Sequence, residues 1–226
     1  DPTEAIIYEM SVRDFSVQKE AGFKHPGKFK GFTESPQLNG QILGFNYLQK
    51  LGITHVQLLP VYDFGSVDEE DQWKAYNWGY DPENYNVPDR QFAADQKNPV
   101  APILELKKMI QAYHEAGIGV IMDVVYNHTY SSYSSPFQLS VPAYYYRMHD
   151  NGSFQDGSGC GNETASEKEM YRKYMIDSLT YWEEEFGVDG FRFDMMGDHD
   201  AESIEQDYNT ARALNPNLIM PGGGWV

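Results

Sequence analysis

The chain has 226 residues, of which 41% are hydrophobic, and this length supports a sizeable core in one domain or in two small ones. The formal net charge is −17, which opposes contact with nucleic-acid phosphates and anionic membranes, so the sequence predicts neither partner. The single cysteine, Cys160, excludes an internal disulfide, and no apolar run is long enough to predict membrane insertion.

Short apolar runs alternate with helical patterns along the chain, which is typical of a parallel sheet with crossover helices. Strands are predicted at residues 5–10, 53–60, 119–125, 190–194 and 218–220. Helices are predicted at residues 45–51, from Pro102 to a stop at Gly117, from the capping-box pattern at 166–169 to Gly187, and at 201–214. The connections after the second and third strands are too long for turns. No repeat or linker divides the chain, so residues 1–226 are expected to form one unit.

Polar side chains follow the third and fourth predicted strands where each strand ends. Asp123 is followed by Asn127 and His128, a pattern that an ordinary strand end with an Asx turn also produces. Arg192 and Asp194 are two residues apart in a strand and therefore share a face, where a buried structural ion pair is the alternative to a functional one. An arginine beside an aspartate favours the ionised carboxylate, which a carboxylate nucleophile requires.

The long connection after the second strand contains the segment YNWGYDP at residues 76–82. Three aromatic side chains interleaved with Asn, Gly and Asp are unusual in a solvated loop, although a self-packed omega loop would also account for them. Aromatic residues make up 15% of the chain, which suits stacking on sugar rings.

Together these elements resemble the α-amylase superfamily, glycoside hydrolase family 13, and residues 76–82 resemble the heptapeptide that marks type I pullulanases within it. Residues 8–16, YEMSVRDFS, resemble the first-strand segment of that group, with Ser11 where His is expected. Residues 159–167, GCGNETASE, resemble its loop before the fourth strand. The resemblance implies an α/β fold of the (β/α)₈ TIM-barrel type. Residues 1–226 would be the N-terminal portion of the catalytic barrel, with about the first five β/α units and no second domain.

The resemblance also implies a function, an α-glucan debranching hydrolase that cleaves α-1,6-glucosidic bonds in pullulan, amylopectin or limit dextrins with retention. Asp194 is implied as the nucleophile and Arg192 as its positioning partner. The residues implied in substrate binding are Trp78, Tyr80, Asp81, Asp123, His128, His199 and Trp225. No cofactor is required, and calcium is implied only through Asn127, which is a metal ligand in some relatives.

The sequence departs from the family at the acid/base position. Retaining cleavage needs a second carboxyl group to protonate the leaving oxygen, and the family carries it in a Gly-Glu-Gly-Trp type segment after the fifth strand. Gly223 occupies that position here. Strands six to eight and the family's third carboxylate are also missing from the sequence. The chain alone is therefore expected to be inactive, and another chain could complete the barrel.

Two further functions stay open at this stage. A non-catalytic glucan-binding or interaction module derived from a pullulanase barrel is favoured by Gly223, whereas the retained Asp194 and Asp123 favour the enzyme. A related debranching or branching enzyme with a different bond preference is disfavoured by residues 76–82. The sequence leaves the compartment open between a secreted or cell-surface and a cytoplasmic bacterial location, and it does not indicate the preferred glucan or the oligomeric state.

Overall fold

The computed structural model describes residues 2–67 and 76–224. Its strands, in chain order, are β1 (Ile7–Met10), β2 (Gln37–Leu38), β3 (Gln41–Ile42), β4 (His55–Leu58), β5 (Tyr62–Phe64), β6 (Pro82–Pro88), β7 (Gly119–Val124) and β8 (Gly190–Phe193). Its α-helices are α1 (Phe45–Leu51), α2 (Ala101–Glu115), α3 (Pro136–Ser140), α4 (Glu169–Phe186) and α5 (Ala201–Leu214). None of the helices in this described part is long and apolar enough to cross a membrane.

A parallel sheet with the order β1-β4-β7-β8 forms the centre of the fold. A helix precedes each later strand, with α1 before β4, α2 before β7 and α4 before β8. Strands β4, β7 and β8 are mostly buried, and Val56, Val120 and Phe191 are fully covered, whereas only Met10 of β1 is buried. The predicted α/β fold with a parallel sheet is confirmed, and the four strands of that sheet lie within predicted ranges, whereas β2, β3, β5 and β6 were not predicted.

The fifth predicted strand, residues 218–220, is wrong as a continuous strand. Two isolated parallel bridges join this part of the chain to β8, between Gly190 and Ile219 and between Phe193 and Gly222. The carbonyls of Ile219 and Pro221 accept from the N–H groups of Phe191 and Phe193 at 3.0 Å each. Continuous pairing would next need an N–H at Pro221, and proline has none. Its position therefore splits the ladder into two bridges, although the segment still lies beside β8.

The predicted capping box at residues 166–169 is also wrong. Helix α4 begins at Glu169, and its N-cap residue, Lys168, makes no side-chain capping bond. The Ser166 hydroxyl instead accepts from the N–H of Asp200 at 2.7 Å, and its carbonyl accepts from the Ser203 hydroxyl at 2.7 Å. Ser166 thus joins the start of α5 to the chain before α4, a longer-range contact that replaces the local one.

The two long connections contain structure of their own. In the first, β5 and β6 pair antiparallel with an irregular register. In the second, α3 begins after Ser135, whose hydroxyl accepts from the Gln138 N–H at 3.1 Å as an N-cap. Both connections leave the carboxyl ends of β4 and β7, so they build up one edge of the parallel sheet.

One buried carboxyl group makes the stability of this fold sensitive to pH. Asp207 on α5 is fully buried, and neither of its carboxyl oxygens has a hydrogen-bond partner among residues 2–67 and 76–224. Burial raises the pKa of Asp207 to about 8, and the positive charge of Arg172 only partly opposes this shift. The folded chain therefore keeps a proton that the unfolded chain releases near pH 4, so this group's contribution to stability falls as pH rises from about 4 to about 8.

We expect Asp207→Asn to remove this pH dependence, because an amide cannot ionise. Urea unfolding of the variant should show a smaller decrease in the free energy of unfolding between pH 5 and pH 8 than the unmodified chain shows. Glu205→Gln, an exposed change on the same helix, is the matched control and should keep the original slope. An unchanged slope in Asp207→Asn would contradict the prediction.

Candidate active site

Three charged side chains meet where β7 and β8 end. Asp123 in β7 and Arg192 in β8 are register partners, so their side chains lie on the same face of the sheet. Asp194 follows β8 directly, and its N–H donates to the Val124 carbonyl at 2.9 Å. Adjacent parallel strands end at the same edge, and this pairing therefore brings the three side chains together.

One guanidinium group bridges the two carboxylates. Arg192 Nη1 lies 3.0 Å from Asp123 Oδ1, 3.1 Å from Asp123 Oδ2 and 2.8 Å from Asp194 Oδ1. Burial raises the pKa of Asp123 to about 7, against the opposing effects of the Tyr80 hydrogen bond and the Arg192 charge. Burial alone would lower the pKa of Arg192, but Asp123 and the other negative groups around it outweigh burial and raise it. The guanidinium therefore stays charged.

Tyr80 and His128 extend this network. The Tyr80 hydroxyl donates to Asp123 Oδ2 at 2.6 Å. His128 Nε2 lies 2.8 Å from the Tyr80 carbonyl, which can only accept, so this nitrogen carries the proton; Nδ1 then accepts from Asn127 Nδ2 at 3.0 Å. Burial lowers the pKa of His128, so the ring is neutral near pH 7 and serves to fix the backbone at Tyr80.

Asn127 is the residue through which the family resemblance implies calcium. Its Oδ1 is buried without a hydrogen-bond partner among the described residues, so it is one oxygen available to a cation. Calcium takes about six to eight oxygen ligands. Residues 2–67 and 76–224 contain no group of three or more His, Cys, Asp or Glu side chains that could hold a metal ion. No chemical step is therefore assigned to a metal.

The segment 76–82 presents aromatic rings beside this network. Asn77 organises it by accepting from the Gly79 N–H at 2.7 Å and donating to Ser66 Oγ at 2.8 Å and Asp81 Oδ2 at 3.0 Å. Gly79 has a φ of +96°, and a Cβ there would lie 3.0 Å from the Pro60 Cβ, so the turn favours glycine. The segment borders an open cleft of about 390 Å³ whose lining residues are Ser66, Tyr76, Asn77, Trp78, Tyr80 and Asp81.

The expected binding residues differ in how far solvent reaches them. Trp78 is 61% exposed and Tyr80 is half-buried, whereas Asp123 and His128 are only 1% and 2% exposed. A sugar hydroxyl reaches Asp123 only if the Tyr80 hydroxyl is displaced from it. Asp81 is held by Asn77 and by the Ser66 hydroxyl and helps to shape the loop.

Gly223 faces the same network from the segment beside β8. Its N–H donates to the Phe193 carbonyl at 2.8 Å, and its carbonyl accepts from the Met196 N–H at 3.1 Å. A Cβ added at Gly223 would lie 2.7 Å from Arg192 Nη2, so a side chain here would point at the guanidinium. The position at which the family's acid is expected is therefore directed into the site but carries no side chain.

Of the expected residues, His199 does not join the network in the described part of the chain. His199 is buried with its ring edge-on to Phe193 at 5.8 Å, and neither ring nitrogen has a hydrogen-bond partner. Burial, and then the positive charge of Arg147, lower the pKa of His199 to about 3, so the ring is neutral. Trp225 lies outside the described residues.

Sequence reasoning missed a second charged cluster around Arg147. Its guanidinium pairs with Glu163 and with Glu167, and it donates to the Asp198 carbonyl at 2.8 Å. This cluster anchors the turn that follows Asp194. Glu163 and Glu167 both lie in the segment 159–167 that carries the family resemblance, but their common partner is distant in sequence and no local pattern identifies it.

Comparison with known proteins shows the family to which the chain belongs. The family model for the catalytic domain of α-amylases matches residues 19–153. The pullulanase of Bacillus subtilis strain 168 is 42% identical in an alignment that covers 99% of this chain and 32% of that protein. Pullulanase A of Streptococcus pneumoniae TIGR4 is 42% identical over 98% of this chain and 17% of its own length. The crystal structure of Paenibacillus barengoltzii pullulanase with maltohexaose and α-cyclodextrin superimposes with a TM-score of 0.97 and 47% identity, covering 100% of this chain and 36% of that one. The chain thus spans about a third or less of the length of these relatives.

We expect Arg192→Met to destabilise the fold, because it leaves Asp123 and Asp194 near each other without their shared cation. Removing one partner of a buried ion pair costs about 3–5 kcal/mol, which urea unfolding would measure. Arg212→Met is the control, since Arg212 lies on the exposed surface of α5 and should lose less than about 1 kcal/mol. Adding Asp123→Asn to Arg192→Met should recover part of the loss. Equal losses in Arg192→Met and Arg212→Met would contradict the prediction.

Proposed function

Because the chain belongs to the α-amylase family, we propose that it forms part of the catalytic barrel of an α-glucan debranching hydrolase. Its reaction would be the retaining hydrolysis of α-1,6-glucosidic bonds in pullulan, amylopectin or limit dextrins. The observation that carries the proposal is the Arg192 guanidinium, which holds Asp123 and Asp194 at the ends of two adjacent parallel strands. The likeness to bacterial pullulanases over nearly the whole chain supports the debranching reaction.

In the proposed reaction, Asp194 attacks the anomeric carbon. Arg192 Nη1 contacts Asp194 Oδ1 and fixes the carboxylate, which leaves Oδ2 to form the bond to the sugar. As that bond forms, the glycosidic C–O bond breaks and its electron pair goes to the leaving oxygen, which needs a proton. Water then hydrolyses the glycosyl ester and regenerates Asp194. Tyr80 and Trp78 supply aromatic faces for the sugar, and Asp123 holds Tyr80 and Arg192 in place.

The proton donor is the part of the mechanism that this sequence lacks. Gly223 stands at the position directed toward Arg192 and can transfer no proton. General acid catalysis contributes about 10²–10⁴-fold in typical enzymes, so cleavage of an unactivated glycosidic bond should be slow with glycine there. A substrate whose leaving group needs no proton, such as α-glucosyl fluoride, would avoid this defect.

We expect Gly223→Glu to restore pullulan hydrolysis in a setting that supplies a complete barrel. Such a setting is a chimera in which residues 1–226 replace the matching segment of the Bacillus subtilis pullulanase. Reducing-sugar release should rise by at least about 10²-fold in Gly223→Glu. Gly224→Glu is the matched control and should rescue nothing, although a Cβ there meets no atom within 4 Å.

Fluoride release from α-glucosyl fluoride separates the acid from the nucleophile in the same chimera. It should be similar with Gly223 and with Glu at that position, and Asp194→Asn should abolish it. Two results would contradict the proposal: equal pullulan hydrolysis by the Gly223 and Gly223→Glu chimeras, or fluoride release that survives Asp194→Asn.

A glucan-binding module without catalysis is the second candidate function, and Gly223 is the observation that favours it. Stacking on Trp78 and Tyr80 needs no proton donor, so binding survives the loss of the acid. For such a module, Gly223→Glu would leave the chimera inactive on pullulan, while the unmodified chain would still bind maltohexaose.

A further inference from the structure

Besides the cleft at residues 76–82, one stretch of the chain differs in composition from the rest of the molecule. Residues 129–146 contain no Asp, Glu, Lys or Arg, although 23% of the chain is charged and about four such residues would be expected in 18 positions. The same stretch contains five serines and five tyrosines. It follows β7 at the carboxyl edge of the sheet and includes α3. An uncharged face on a molecule of net charge −17 points to an uncharged ligand.

The serines of this stretch hold the backbone in one shape. The Ser131 hydroxyl accepts from the Ser134 N–H at 3.2 Å and from its hydroxyl at 2.6 Å. Ser135 caps α3, and Ser140 donates to the Pro136 carbonyl at 2.6 Å. The surface is therefore preorganised, and a ligand would not have to order it on binding.

Tyr133 projects from this surface and is 75% exposed. Its ring meets Phe154 at right angles with centroids 5.1 Å apart, and Phe154 meets the buried Tyr146 in the same way at 5.1 Å. Tyr146 is fixed in turn by a 2.7 Å hydrogen bond between its hydroxyl and Thr129 Oγ1. These ring contacts hold Tyr133 against the protein, while most of its side chain stays exposed to solvent.

The surface is connected to the candidate active site through residues 160–162. The Ser132 hydroxyl donates to the Gly161 carbonyl at 3.0 Å, and the Asn162 side chain both accepts from the Thr129 N–H at 3.0 Å and donates to its carbonyl at 2.7 Å. Thr129 directly follows His128 in the chain, so these bonds join the surface to the residues beside the Arg192 network.

We propose that residues 129–146 together with Phe154, here called the Tyr133 surface, bind an α-glucan chain beyond the bond that is cleaved, with a glucosyl ring stacked on Tyr133. A pyranose ring has an apolar face and an uncharged hydroxyl rim, which an exposed aromatic ring set among neutral polar groups can match. The inference rests on the proposed function, because it takes the ligand to be the same α-glucan. It adds a binding surface that neither the cleft at residues 76–82 nor the Arg192 network includes.

The test compares variants of the 226-residue chain by calorimetric titration with maltohexaose and by retardation in gels that contain amylopectin. Tyr133→Ala should raise the dissociation constant roughly threefold to tenfold, the range expected for one aromatic contact. Tyr133→Phe keeps the ring and should bind within about twofold of the unmodified chain. Leu139→Ala, which removes a side chain 70% exposed on the same stretch, should weaken binding less than Tyr133→Ala does, and Tyr208→Ala on α5 is the control that should bind unchanged.

The results that would contradict the Tyr133 surface differ from those that would contradict the proposed function. Unchanged binding by Tyr133→Ala, together with a loss of binding by Trp78→Ala, would overturn the Tyr133 surface and leave the cleft intact. An equal loss in Leu139→Ala and Tyr133→Ala would overturn stacking in favour of a general apolar face that suits a protein partner. Absence of maltohexaose binding by the unmodified chain would contradict both proposals, whereas pullulan hydrolysis by the Gly223→Glu chimera would support the proposed function independently of Tyr133.

Discussion

The contact of one guanidinium with two carboxylates is the interaction on which the candidate site depends. Asp123 is almost completely removed from water, so its charge is tolerable only with a partner. The parallel register of β7 and β8 supplies that partner by placing Arg192 directly opposite. The other residues of the site are arranged around this pair. Tyr80 donates to Asp123, and His128 donates to the Tyr80 carbonyl. Gly223 has no Cβ, which would otherwise press on the guanidinium.

The features of the fold that depend on local patterns could be predicted from the sequence, and those that depend on distant partners could not. Residues 201–214 form a helix with the predicted bounds, and the Asp200 side chain caps it locally through the Ser203 N–H. Ser166 has the spacing of a capping residue, but it bonds to Asp200, 34 positions away, and no local pattern reports that competition. Pro221 is the opposite case, because the sequence alone shows that it lacks the N–H needed for continuous pairing of the fifth strand.

The same distinction applies to the site. Arg192 and Asp194 share a face because they are two residues apart in a strand, so their association could be predicted from spacing alone. The contact between Tyr80 and Asp123 joins positions 43 residues apart and required the folded connection between β4 and α2. Burial was the property that sequence reasoning could assess least. Asp123 and His128, whose binding of sugar hydroxyls stays a prediction, are buried, and the aromatic residue that the cleft exposes most is Trp78.

The charge balance around Arg192 determines what a carboxyl group at position 223 would experience. Asp123 and Asp194 already share the one guanidinium, and a side chain at position 223 would point at the same group. The two aspartates would favour the protonated form of a glutamate there, whereas the guanidinium would favour its ionised form. With Gly223, the network has no carboxyl group at this position. What it retains are the functions that need no proton, namely a fixed nucleophile and aromatic contacts. Binding energy from glucosyl units far from the cleavage point, such as one on Tyr133, would then position the bond at Asp194, because remote contacts can be used to orient the reacting centre.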